Sequence, residues 1–369
     1  MNDFDVVIIG AGIAGASLAA EIGAEKSVLL LEMESIAGYH STGRSAAFWT
    51  ETYGGPSIQP LTSASGPFLL TPPPEFSETS LLRRRGALHL GQKGDATAAG
   101  DMLKDFARSG VALERLDAEG VAMHISGLRP SWSEALWEPD CCDIDVGGLH
   151  AGYLKMARKK GVQLLCNAPM ASAQFVQGRW TIHVGGSEYT AKILVNAAGA
   201  WADFVADRAN VKPIGITPYR RTIMQLAVEP AASPDLPLVV GLDGSFYFKP
   251  ESGGRLWLSP HDEIATKPCD AAPEELDVAL AIDRFQQVVD WQVTRLERKW
   301  AGLRSFAPDR LPVIGPDPHV PEFFWLAGQG GFGIQTAPAV ASMAAALLLE
   351  HTHTVRNANA ADYAPDRLR

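Results

Sequence analysis

Residues 5 to 22 read DVVIIGAGIAGASLAAEI, and this stretch decides the fold. Val6 to Ile9 form a short apolar run, the length of a buried strand. Glycines follow at 10, 12 and 15, and small apolar residues then continue as a helix would. SVLLLE, residues 27 to 32, is a second apolar strand that ends in an acid. Strand, glycine turn, helix and strand make a compact βαβ unit. In G-x-G-x-x-G, Gly10 allows the tight turn, Gly12 lets a pyrophosphate approach the backbone, and Gly15 lets helix and strand pack. Ile13 and Ala14 open the helix, whose N-terminus attracts phosphate. Glu32, with Met33 beside it, stands where an acid meets a ribose hydroxyl. The unit therefore predicts a bound dinucleotide.

The whole chain, 369 residues, is too long for one simple core and suggests two domains. Its hydrophobic content is 46%, its charged content 20% and its formal net charge −10. That balance suits a globular protein and argues against nucleic acid as a partner. Four cysteines, at 141, 142, 166 and 269, have no metal-ligand spacing and are too few for a disulfide scaffold. No metal site is expected. The N-terminus lacks a basic region and a cleavage site, and the most apolar later stretch, 337 to 349, is too short to cross a bilayer. A cytoplasmic protein without a transmembrane segment is expected, with peripheral contact at the inner membrane still open.

After Glu32 the βα alternation stops. GYHSTGRSAAFWTETYGG, residues 38 to 55, passes from small and hydroxyl residues to aromatics. Residues 56 to 80 are rich in Pro, Ser and Thr and read as partly loop. GALHLG reads as a strand, and residues 95 to 110 and 146 to 160 as helices. A hairpin is expected around Gly178, and a β-rich region runs from 213 to 260. Residues 272 to 296 read as a helix and 300 to 306 as a strand. ILVNAAGAWAD (193–203) is a strand entering small residues, including Ala198, Gly199 and Trp201. FFWLAG then leads into the glycine loop GQGGFGIQT (328–336) and a last helix. An NAD domain would continue its alternation directly. A second glycine-rich helix start near the C-terminus suits a flavin, because its dipole stabilises the charge of the reduced ring.

The ordered set GAGIAG, GYHSTGRSAA, VNAAGAW, PYRR, SFYFKP, WAGLRSF and GQGGFGIQT resembles the FAD-dependent D-amino acid oxidase/dehydrogenase family, which includes glycine and sarcosine oxidases. The resemblance spans nearly the whole chain, and within the family it runs to the bacterial D-arginine dehydrogenases. It implies an α/β fold: a Rossmann-type, glutathione-reductase-like FAD domain with an inserted substrate domain of antiparallel sheet plus helices. The FAD domain would comprise residues 1–50, 140–215 and 300–369. The substrate domain would comprise 51–139 and 216–299.

The resemblance also assigns residues. His40, Ser41, Thr42, Arg44, Ser45, Ala46 and Ala47 would run along the cofactor. Gly302, Arg304, Gly330, Gly331, Gly333, Ile334 and Gln335 would complete its site. Phe48 and Tyr53 would wall and roof the substrate cavity, with Trp49 between them reading better as core. Arg221 and Arg304 match the family's carboxylate-binding pair, and Tyr247 a tyrosine that bonds the same group. Arg suits this task because its fork meets a carboxylate in a bidentate way. Gly330 and Gly331 would offer carbonyls to the amine. The implied reaction moves a hydride from Cα to flavin N5, with water near Tyr53 helping the amine to lose its proton. An imino acid, then a 2-oxo acid, would result. Oxygen or a quinone would take the electrons.

Three positions depart from the arginine-specific members. Phe48 replaces a His, Ala87 an acid and Phe332 a Tyr. All three changes remove polarity, and a buried guanidinium without a counter-charge is costly. A neutral or apolar side chain is therefore expected, with D-Arg and D-Lys poor. An N-substituted amine of the sarcosine or glycine oxidase type is the alternative. Arg83, Arg84 and Arg85 could receive an acidic tail but read better as a solvated strand end. No cysteine lies between Arg304 and Gln335, so FAD is expected to be non-covalent. A flavin-bound protein without turnover is the reading from another class.

Overall fold

The structure, a computed structural model, describes residues 2–92, 94–352 and 355–369. At its centre the strand Asp3–Ile9 pairs in parallel with Val28–Leu31 on one side and Ser187–Asn196 on the other. Gln163–Leu165 extends the first side and Phe323–Ala327 the second, both in parallel. These inner strands are near-continuous apolar runs because both sheet faces are covered. The hairpin Met170–Val176 and Arg179–Val184 adds to the early half of Ser187–Asn196. Its turn takes left-handed Gln177 and Gly178, with φ of 53° and 78°. Val313–Pro316 pairs antiparallel with Phe323–Ala327.

Helices Ile13–Ile22, Val146–Lys159 and Ala337–Leu349 cover one face of this sheet, burying Leu18, Leu149 and Met343. Asp145 caps the second of them by accepting from the Gly148 amide at 2.8 Å. Helix Ala202–Arg208 lies over the other face, beside Trp180 and Trp325.

A second, nine-stranded sheet is built around Thr217–Glu229, which runs antiparallel to Gln292–Phe306 over thirteen paired positions. The rest of this sheet includes Ala87–Gln92, Trp132–Glu138, Leu238–Gly241, Tyr247–Glu251 and Arg255–Ser259. Strand alternation gives it two different faces. Leu88, Leu90, Met224, Phe246 and Phe248 point into a core closed by helix Glu275–Val288. Ala87, Ile223, Leu238 and Tyr247 point the other way, into a small cluster against Ala46 and Phe48. That second face roofs the candidate site. Phe48–Trp49, Leu82–Arg84 and Cys142–Ile144 form a third, three-stranded sheet.

One expectation needs correction and another needs filling in. The helix read over 272–296 ends at Val288, and Gln292 onward belongs to the long strand. The 13-residue partner at 217–229 supplies ladder bonds that outweigh local helical preference. The stretch read as partly loop is loop at 71–80 but also holds helix Gln59–Leu70, which Pro60 opens and which runs on through Pro67. Its prolines and hydroxyl residues conceal it in the sequence. Among the described residues no helix is long and apolar enough to cross a membrane.

Candidate active site

The glycine turn is as tight as its residue types imply. Gly10 has φ +102°, and a Cβ there would lie 2.5 Å from the Ala197 carbonyl oxygen. A Cβ on Gly15 would lie 1.9 Å from the Gly10 oxygen, so helix and turn touch through backbone. The Ile13 amide donates to Thr42 Oγ1 at 3.0 Å, tying the helix start to the 38–55 segment. Glu32 is buried and fixed, its two oxygens accepting from the Ala11 and Glu34 amides at 3.0 Å.

A cavity of about 1120 Å³ opens along this turn. Gly10, Gly12, Ile13, Ala14, Glu32 and Met33 line it at one end. His40, Ser41, Thr42, Ala198, Gly199, Trp201 and Gly330 continue the wall. His40 packs on Trp201, ring centroids 4.6 Å apart, and bonds Glu34 at 2.9 Å. Gly15 is absent from the lining and serves packing. Residues that sequence reasoning passed over also line it, among them Met170, Phe204 and Gln329.

A second cavity, about 810 Å³, continues from the first and shares Ile13, Ser41, Thr42, Leu303, Gln329 and Gly330 with it. Arg44, Ser45, Ala46, Ala47 and Gly302 form one side, and Gly331, Gly333, Ile334 and Gln335 another. Phe48, Tyr53, Arg221, Tyr247 and Arg304 close the end. Several bonds hold this chamber together. Ser41 Oγ donates to the Leu303 carbonyl at 2.7 Å, and Trp300 Nε1 to the Arg44 carbonyl at 3.0 Å. The Gly330 amide donates to the Ser305 carbonyl at 2.8 Å, laying the glycine loop against the strand that carries Arg304. Gln335 clamps the 50–53 turn, donating to Tyr53 O and Thr62 Oγ1 and accepting from the Thr50 amide.

Arg221 is only 3% exposed. Its Nε donates to the Asp262 carbonyl at 2.7 Å and Nη2 reaches Glu263 at 3.2 Å, while Nη1 is buried with no partner among the described residues. Burial, and next the Arg304 guanidinium, pull its pKa down to about 10. Arg304 Nη1 has one long contact, 3.5 Å to His261 Nε2. Burial pushes the Tyr247 phenol above its ordinary value, against the pull of both arginines. A buried, partnerless guanidinium nitrogen beside a second guanidinium calls for an anion.

Two assigned residues lie elsewhere. Ala87 is fully buried in the cluster behind Phe48 and Tyr247 and lines neither cavity. Phe332 sits behind Tyr53, edge to face at 5.5 Å, and also lines neither. Arg220 points away, paired with Glu274 and Asp277. Arg84 pairs with Asp140 and Arg85 with Asp143, so the arginine run does not serve the chamber. The sequence reading also missed an acid. Glu138, on the strand beside Ala87 and directly opposite it, is 1% exposed and bonds His89.

The arrangement fits a flavin dinucleotide. The long trough begins at a glycine turn and at Glu32, the acid at the end of the second strand. It carries the buried, partnerless amide nitrogen of Gln329 where the two cavities meet, and it ends at two guanidiniums and two phenols. Fold and trough together define a flavin-dependent oxidoreductase. The chain belongs to the DAO family, described as FAD dependent oxidoreductase, whose model matches residues 5–347. FAD is the cofactor of that family.

Relatives are distant. The bifunctional protein ThiO/ThiG of Nostoc sp. is 24% identical over 364 residues, 94% of this chain and 53% of that one. The chain thus spans about half the length of that curated relative. Monomeric sarcosine oxidase of Streptomyces avermitilis is 24% identical over 95% of this chain and 94% of its own. Glycine oxidase from Geobacillus kaustophilus superposes with a TM-score of 0.85 at 20% identity, over 99% of this chain and 98% of that one. At that identity the likeness shows the fold alone.

Proposed function

We propose that the chain catalyses FAD-dependent oxidative deamination of a D-amino acid with a neutral or apolar side chain. The observation that carries this reading is the buried, partnerless Nη1 of Arg221 beside Arg304 at the end of the trough. In this reading the residues assigned from the sequence hold a non-covalent FAD. None of the four cysteines lines either cavity, which supports that form of attachment.

FAD, when bound, accepts the hydride that leaves Cα. The protein's own groups set up that step. Arg221 and Arg304 grip the substrate carboxylate, and Tyr247 donates to the same group, so that Cα is fixed in one orientation. Carbonyls of Gly330 and Gly331 accept from the amine. The amine must be neutral to react, and the surrounding apolar wall favours that form. Water held at the Tyr53 hydroxyl takes the proton. The substrate loses a hydride from carbon and a proton from nitrogen, and the imino acid then hydrolyses to a 2-oxo acid and ammonium.

The D configuration rests on the motif resemblance. The likeness to D-arginine dehydrogenases extends to the anchors and not to positions 48, 87 and 332. A second reading, oxidation of an N-substituted amino acid, has its own support in the sarcosine oxidase relative that aligns end to end. Anaerobic mixing of holoprotein with both enantiomers of each amino acid and with N-alkyl glycines decides between them. Bleaching of the flavin band by D-amino acids supports the first reading, and bleaching confined to N-alkyl glycines the second. No bleaching by any of them removes both.

A further inference from the structure

Behind the substrate chamber lies a third cavity of about 650 Å³. Phe48, Tyr53, His261 and Tyr247 form a ring of aromatic contacts at its near end, with successive centroids 5.9, 6.4, 5.7 and 5.7 Å apart. Phe48, Tyr53 and Tyr247 also wall the chamber that holds the two arginines. The third cavity therefore lies across these three side chains from the chamber's arginine end. Met102, Leu238, Val240 and Leu242 make most of its wall apolar.

Beyond the Tyr53, Tyr247 and His261 rings at the near end, its polar side chains are Thr50, Thr52 and His89, and all three bond one carboxylate. Glu138 Oε2 accepts from Thr52 Oγ1 at 2.7 Å, Thr50 Oγ1 at 2.8 Å and His89 Nε2 at 3.1 Å. Its Oε1 accepts from the Glu51 amide at 2.8 Å. Burial works against ionisation, but the His89 imidazole and then the threonine hydroxyls outweigh it and hold the carboxyl below its ordinary value. An ionised carboxylate only accepts hydrogen bonds. Each threonine thus directs its single O–H at Glu138, and His89 directs its Nε2–H there. With these hydrogens spent on Glu138, the groups keep lone pairs on two hydroxyl oxygens, 3.1 Å apart, and on Nδ1 of the Nε2–H tautomer of His89, around a buried carboxylate.

We propose that this cavity receives the substrate side chain and selects an apolar chain that ends in an O–H or N–H donor. A methyl end would leave the lone pairs unmet, and a carboxylate end would face them and the charge behind them. His89 meets the donor, and Glu138 acts as a positioning residue that fixes the His89 tautomer. This inference rests on the amino acid reading above and sharpens it: the acid missing at position 87 has a counterpart across the ladder at 138.

The test uses holoprotein and carboxylic acids that lack an amine, which can occupy the site without being oxidised. Three probes share one scaffold: 3-phenylpropanoate, 3-(4-hydroxyphenyl)propanoate and 3-(4-carboxyphenyl)propanoate. Dissociation constants are read from the perturbed flavin absorbance. One well-placed hydrogen bond predicts about tenfold tighter binding of the phenol than of the phenyl probe, with the dicarboxylate weakest. His89→Leu should bring the phenol-to-phenyl ratio to about one. His89→Gln, which keeps a donor for Glu138 and an acceptor for the cavity, should restore a several-fold ratio. Equal affinities in the native protein, tightest binding of the dicarboxylate, absence of binding by all three, or a ratio that survives His89→Leu would overturn the inference. Phenol-selective binding in a protein whose flavin no amine bleaches would remove the proposed reaction and uphold this pocket. Bleaching by D-amino acids without phenol selectivity would do the reverse.

Discussion

Arg221 and Arg304 are diagonal neighbours on one face of a single antiparallel ladder: Arg221 stands opposite Gly302, and Arg304 opposite Tyr219. Two guanidiniums placed so close repel each other, and burial adds to that cost. The fold tolerates the pair because thirteen paired positions of backbone ladder fix both strands. Such an arrangement becomes favourable once an anion lies between the two heads.

Arg304 has few partners of its own, so its removal tests anion binding with little structural disturbance. Arg304→Ala should raise KM by at least about thirtyfold, since removing one partner of a buried charge pair costs about 2–5 kcal/mol. Flavin content should stay near that of the native protein. Steady-state kinetics beside the ratio of flavin to protein absorbance checks both.

Substrate capture should weaken in strong alkali. Arg221 binds a carboxylate only in its protonated form, and burial together with Arg304 brings its pKa down to about 10. The kcat/KM profile should therefore fall along an alkaline limb as pH rises through about 10, because kcat/KM reports the free enzyme. In Arg304→Ala the second cause disappears, and the limb should move to higher pH. A limb that stays in place would assign it to another group.

Gly331 is hemmed in by the site itself. A Cβ there would lie 2.4 Å from the Tyr53 hydroxyl and 3.0 Å from Arg304 Cζ. Gly331→Ala must displace one or both. It should lower kcat/KM by roughly tenfold or more while leaving the flavin bound, because even a small misplacement of a positioning group is expensive.

Gly15 is hemmed in by the fold. Its added Cβ would overlap the Gly10 oxygen at 1.9 Å, and neither backbone can yield without moving the turn. Gly15→Ala should destabilise the protein by about 1–3 kcal/mol and deplete its flavin. A thermal melt with a flavin assay on the same sample measures this.

Local signals made the first half of the trough legible. Gly10, Gly12, Glu32 and the 38–47 segment are near in sequence, and their roles follow from turn chemistry and strand ends. Arg221 and Arg304 were found through motif resemblance, since nothing local marks residues 83 positions apart as ladder neighbours. Glu138 was missed for the same reason. Position 87 lost its acid, but the strand pairing that sets Glu138 opposite it is a long-range contact with no local trace. Residues 292–296 failed differently: their strand conformation comes from the partner at 217–229.

The central claim is that a carboxylate is pinned by the two arginines for oxidation at the neighbouring carbon. Anaerobic spectra of the holoprotein with a reactive amino acid, and with the amine that matches it except for the missing carboxylate, test this most directly. The account predicts rapid loss of the flavin band with the amino acid and a spectrum almost unchanged by the amine. Equal bleaching by the two would show that the guanidinium pair has no part in the reaction.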